Sequence, residues 1–203
     1  MDNCQTLTHQ EPLLKLTGPV RAVMLCGAVD FEVSLYVRGT TESEDKELSL
    51  LAVSFRDHGF PSTSSYFSRS YTSRLSKLDF LLGHIVSSAE ATIRIKVISA
   101  PPDGFRGVFE ASTDTPGHVP VLLLDNSLGK AHLAGDEINL SRRVVSVEFS
   151  GLLTISVAAG HDNIHARMGF KPREKGTTTM ELKLDWSSCK LEVIVAWSLF
   201  SYL

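Results

Sequence analysis

A chain of 203 residues, 43% hydrophobic and 21% charged, can bury a large core, so its folding requires neither disulfides nor metals. Its formal net charge of −3 lacks the basic excess that a phosphate-binding surface needs, which disfavours general nucleic-acid binding. Three cysteines, Cys4, Cys26 and Cys189, are too few and too far apart for a secreted disulfide framework or a C-x-x-C motif.

Residues 13–16 and 22–26 read as short strands separated by the Thr17-Gly18-Pro19 turn. Phe31, Val33, Leu35 and Val37 then alternate with Glu32, Ser34 and Tyr36, the pattern of a strand with one wet face. Glu42, Glu44, Asp45 and Glu47, broken by Lys46, form a solvated acidic loop whose spacing does not supply a calcium site. A strand is expected over 48–55. The stretch 57–73 is rich in serine and aromatics (Phe60, Tyr66, Phe67, Tyr71) and reads as a long surface loop. After a strand over 75–82, Ala89, Ala91, Ile93, Ile95 and Val97 alternate with Glu90, Thr92, Arg94 and Lys96.

Turns at Pro101-Pro102-Asp103-Gly104 and Thr115-Pro116-Gly117 bracket a strand over 105–111, and another follows over 119–124. The best helical candidate is 125–134, and Gly129 interrupts it. Val145, Val147 and Phe149, then Leu153, Ile155 and Val157, alternate on either side of Ser150-Gly151. Residues 160–176 fit no element. Met180, Leu182, Leu184 and Trp186 share one face of a strand. Residues 191–200 are apolar almost throughout, as in a strand covered on both faces or crossing between sheets; Val193, Val195 and Trp197 share one face and Ile194 and Ala196 the other. The expectation is one β domain over 1–203: all-β, an antiparallel β-sandwich or related barrel with little helix. Cys26 and Cys189, both in apolar runs, read as small core residues.

Residues that could carry chemistry are dispersed. His161 and His165 have the i, i+4 spacing that joins two metal ligands on a helix, but a helix there is doubtful and no third ligand stands near. No G-x-S-x-G, G-x-G-x-x-G or G-x-x-x-x-G-K-[ST] string occurs. Asp103-Gly104-Phe105-Arg106-Gly107 reads as a shaped turn entering a strand, with a ligand-touching loop as the alternative. Arg142 and Arg143 open a strand, where neighbouring side chains diverge and do not form one cationic clamp. No catalytic residue, metal ligand or cofactor is assigned, and no binding residue is identified. The first residues, Met1-Asp2-Asn3-Cys4-Gln5, lack a basic stretch followed by an apolar core. With no apolar run long enough to span a bilayer, no membrane association is expected, and a cytoplasmic or nucleocytoplasmic location is.

Several ordered strings carry a family resemblance: Asp2-Asn3-Cys4-Gln5, Leu16-Thr17-Gly18-Pro19, Glu44-Asp45-Lys46-Glu47-Leu48-Ser49, Leu82-Gly83-His84-Ile85-Val86, Pro102-Asp103-Gly104-Phe105-Arg106-Gly107, Leu140-Ser141-Arg142-Arg143-Val144-Val145 and Val195-Ala196-Trp197-Ser198. The chain resembles a plant domain of unknown function abundant in cereal grasses. That resemblance implies a β-rich fold, found alone or behind a ribosome-inactivating rRNA N-glycosidase domain in some jasmonate-induced proteins. It implies no catalytic residue. Members carry a further β segment before the Asp-Asn-Cys-Gln string, which here follows Met1 directly. Loss of that segment would leave an exposed strand edge and favour a homodimer.

Two functions stay open. One is a non-catalytic binding or interaction module in plant stress or defence, with a protein or carbohydrate ligand. It rests on the all-β patterning, the aromatic-rich stretch and the lack of catalytic strings. The alternative is a hydrolytic or rRNA-directed activity, which rests on the company the family keeps.

Overall fold

The computed structural model describes residues 4–10, 12–14, 16–56, 62–99, 106–127, 133–134, 136–159, 164–184 and 189–199, with 133, 134, 159, 164 and 165 described by backbone alone. Among the described residues there are fourteen strands, a single 3-10 turn and no α-helix. Every strand pairing with a defined register is antiparallel, and none of the described sheets closes into a barrel. No helix of the described residues is long and apolar enough to cross a membrane.

The chain gathers into two compact units. One comprises Met1–Lys15, Met24–Ser62 and Tyr66–His84; the other comprises Leu16–Val23, Thr63–Ser65 and Ile85–Leu203.

The first unit is built from two hairpins. Strands β1 (Ala28–Val37) and β2 (Lys46–Arg56) pair in register from Ala28 opposite Arg56, with an irregularity at Leu35/Tyr36. Their connection is the acidic loop, and its carboxylates serve the backbone. Glu44 accepts the Thr40 and Thr41 N–H groups at 3.1 and 3.2 Å, and Asp45 accepts that of Gly39 at 2.8 Å. Gly39 is required there, because a Cβ would lie 2.7 Å from the Glu44 carbonyl carbon. Strands β3 (Ser65–Thr72) and β4 (Lys77–His84) form the second hairpin. Phe31, Phe55, Tyr71 and Phe80 pack edge to face in a chain, with centroids 5.0, 6.0 and 5.7 Å apart. This is the favoured arrangement of ring quadrupoles.

The second unit has the arrangement of a β-sandwich. Its first sheet runs β13 (Lys175–Leu184), β14 (Cys189–Leu199), β5 (Ser88–Ser99), β9 (Glu137–Ile138) and β8 (Leu133–Ala134), with β10 (Val144–Glu148) also on β5. Its second sheet runs β12 (Ile164–Phe170), β11 (Leu153–Ala159), β6 (Gly107–Thr113) and β7 (Val121–Asp125). One apolar cluster draws on both sheets: Ile93 and Ile95 of β5 and Val193, Val195 and Trp197 of β14, with Phe109, Ile155, Val157 and Phe170 from the other sheet. The alternation expected for β5 and β11 is therefore the alternation of core and outer face; the C-terminal strand, expected to be covered on both faces or to cross between sheets, stays within one sheet and fully buries one face. Ile194 and Ala196, on the outer face of β14, are half-buried.

Several expectations are corrected. Residues 13, 14, 16 and 22–26 form no strand, and Leu13, Leu16 and Val23 are exposed; apolar residues alone make no strand without a partner for their N–H and C=O groups. Of the aromatic stretch 57–73, residues 57–61 with Phe60 lie outside the described residues, and Ser65–Thr72 is a strand, β3, because β4 supplies both its ladder and a ring to pack on. Strand β12 occupies part of the unassigned 160–176. In 125–134, the best but interrupted helical candidate, the described residues hold the end of β7 and the short β8, with 128–132 outside the described residues. Cys26 is exposed, whereas Cys189 is buried.

Candidate functional site

The outer face of the first sheet of the sandwich gathers most of the charge whose geometry is defined. Alternation along β5 places Glu90, Thr92, Arg94 and Lys96 there. Arg94 grips Glu137 of β9 with two N–H groups, Nε 3.1 Å from Oε1 and Nη2 on Oε2. That bidentate contact holds the Glu137 carboxyl below its usual range and the guanidinium above its own. Lys96 Nζ stands 3.3 Å from Asp136.

Glu90 breaks the pattern. It lies on the nominally wet face yet is only 4% exposed. The segment Leu16–Val23 crosses this face as a strap. Ala22 donates its N–H to Glu90 Oε2 at 2.7 Å, Arg21 Nε lies 3.3 Å from Oε1, and the Gly18 N–H reaches the Ser141 carbonyl at 3.0 Å. Gly18 holds φ +76°, a conformation that favours glycine. Glu90 is flanked in register by Ser146 of β10 and Ser198 of β14. Their short side chains leave height for the strap. A buried carboxylate needs such partners, and here it anchors chain remote in sequence.

A second polar group closes one end of the sandwich. The Thr115-Pro116-Gly117 turn brings the His118 N–H to the Thr115 carbonyl at 3.1 Å, and its ring Nε2 lies 3.4 Å from the Ala111 carbonyl. Burial pushes the His118 pKa below its usual 6.5, against the opposing pull of that carbonyl. Asp114 ties this loop to the next turn by accepting the Leu152 N–H at 3.0 Å.

Among the described residues the sequence-derived candidates are not brought together. His161 lies outside the described residues, as do Asp103, Gly104 and Phe105, while His165 is placed by backbone alone in β12, a strand and not a helix. Among the described residues no three of His, Cys, Asp and Glu gather in a way that could hold a metal ion. Arg142 and Arg143 precede β10. The N–H of Arg142 goes to the Leu123 carbonyl at 3.1 Å, and the Arg143 carbonyl accepts the Ile93 N–H at 2.7 Å. The aromatics of β3 are engaged: Tyr66 lies over Gly83, Tyr71 packs between Phe55 and Phe80, and Phe67 takes the Arg69 guanidinium 5.2 Å above its ring. Sequence reasoning missed Glu90 and His118. The one available signal for Glu90 was the run of small residues, Ser88, Ala89 and Ala91, around a carboxylate.

The chain matches no curated protein and no solved structure. A family model does match, over residues 1–195, nearly the whole chain. The all-β sheets of that span agree with the β-rich fold expected from the resemblance, and the chain belongs to the family described as a domain of unknown function (DUF6598).

Proposed function

We propose that this chain is a non-catalytic interaction module of plant stress or defence, found alone or beside ribosome-inactivating domains, that binds a protein segment by strand addition. The observation that carries this reading is the hairpin unit. Among the described residues, each of β1, β2, β3 and β4 has a strand on one side only. Strand edges offer rows of backbone donors and acceptors to an extended peptide, and side chains beside them supply selectivity. The same unit exposes Tyr36, Val37, Leu50 and Leu81. The charged groups of the sandwich face fit a structural role, since Glu90, Arg94 and Lys96 are engaged with neighbours. The plant and defence setting rests on the resemblance alone, and a cytoplasmic or nucleocytoplasmic location goes with it.

The test is affinity capture from plant extract with the chain as bait, run beside a Leu50→Glu, Leu81→Glu double variant. A protein retained by the first bait and lost from the second supports the reading. Binding to immobilised glycans that the double variant leaves intact would replace the protein ligand with a carbohydrate. Depurination of ribosomal RNA by the purified chain would overturn the module reading in favour of an enzyme.

A further inference from the structure

The edge strand of the sandwich, β13, carries a charge pattern that matches itself. It is ten residues long, contains no proline, and has β14 as its only strand partner among the described residues. Leu199 of β14 donates its N–H to the Glu174 carbonyl at 2.7 Å, and Glu174 directly precedes β13. In an antiparallel ladder the bonding direction alternates along the strand. Even-numbered residues of β13 therefore bond to β14, and odd-numbered residues turn their N–H and C=O outward. Lys175, Thr177, Thr179, Glu181 and Lys183, the outward-bonding set, are also exposed as side chains.

We propose that two copies of this chain pair through β13, antiparallel about Thr178. In that register Thr177 of each copy faces Thr179 of the other, and Lys175 faces Glu181 on both sides of the twofold axis. All four pairs are outward-bonding residues, so each can exchange both backbone hydrogen bonds. On the other face each Met180, 39% exposed, lies across from Gly176, where an added Cβ would meet nothing within 4 Å. Neighbouring registers fit less well. Centring on Thr177 sets Lys175 against Thr179, centring on Thr179 sets Lys175 against Lys183, and centring on Met180 sets Glu181 against Thr179 and Lys183 against Thr177; none keeps the Lys175–Glu181 pairs. Centring on Leu182 opposes Glu181 and Lys183, but β13 ends at Leu184 and only five of its residues overlap.

Two other edges, β1 and β12, lack this match. The charges on the exposed face of β1 are Asp30 and Glu32, which would repel in a self-pair. Apart from the His165 position, β12 carries only Arg167.

Sedimentation of the full chain from micromolar to sub-millimolar concentration tests the pairing. Far-UV circular dichroism and urea midpoints select the variants that keep the wild-type fold. The wild type is expected to form a reversible dimer. Glu181→Lys, which sets lysine against lysine twice, should weaken it by about ten- to a hundred-fold. The Lys175→Glu, Glu181→Lys double variant should restore it to within about three-fold, because swapped charges leave the same cross-strand pairs. Thr179→Pro removes an outward N–H without touching the β14 ladder and should abolish the dimer. A wild type that stays monomeric throughout overturns the proposal. So does a dimer that Glu181→Lys and Thr179→Pro leave unchanged, or one that the charge swap fails to rescue.

Discussion

Truncating Trp197 to alanine tests the claim that the C-terminal strand is the centre of the sandwich. Trp197 is 4% exposed and stands on β14 with Gly176 of β13 and Ala91 of β5 as its register partners. Its indole N–H donates to Thr178 Oγ1 at 3.1 Å. A tryptophan buries about 150–250 Å², worth roughly 4–6 kcal/mol at about 25 cal/mol per Å², an upper bound because unfolded chains retain some burial. The indole hydrogen bond adds about 1 kcal/mol at most, since Thr178 is half-buried and water can replace the lost donor. Small flanking residues limit how far the site can collapse, so a cost of about 3–5 kcal/mol is expected. Urea denaturation followed by far-UV circular dichroism would measure it, with hydrogen exchange of β14 amides as a probe local to the sandwich. At an m-value of about 2 kcal/mol/M the midpoint should fall by roughly 2 M. A loss below about 1 kcal/mol would mean that the indole is not packed as described, and the core assignment would fail with it.

Three further outcomes follow from the same geometry. Because burial lowers the folded-state pKa of His118, the unfolded chain binds the proton first. Stability is then complete above about pH 6.5 and falls with pH from there until the depressed folded value is reached; the stability difference between wild type and His118→Gln should change across that window, and a constant difference from pH 7.5 to 5.5 would contradict it. Glu90→Ala leaves the Ala22 N–H without its acceptor and should cost about 1–3 kcal/mol while speeding exchange of the Gly18 and Ala22 amides; Arg21→Ala, whose side chain is 64% exposed, should cost under about 1 kcal/mol, and equal costs would show that the ion pair and not the backbone bond holds the strap. A thiol reagent should label Cys4 and Cys26 in the folded protein and Cys189 only on unfolding; rapid labelling of Cys189 would place β14 outside the core.

Most strands were legible because a half-buried strand writes its two faces into every second residue. The run from Ala89 to Val97 shows this, as does Leu153 to Val157, and no other element imitates that period. The all-β class followed from local pattern alone. The hairpin aromatics were not legible. Tyr66 and Tyr71 sit among serines that suit a loop equally well, and their strand exists because β4 brings Phe80 and the space over Gly83. Residues 22–26 erred in the other direction, apolar enough for a strand but without a partner to complete a ladder. Glu90 shows most clearly where local information ends. Its alternation with Ala89 and Ala91 assigned its face correctly, and that face should have been wet. What lies over the face is decided 68 residues away, where Ala22 turns its N–H to the carboxylate. Side-chain period is a property of neighbouring residues, whereas burial belongs to whichever remote segment fills the space above them, and only the tertiary structure assigns that segment.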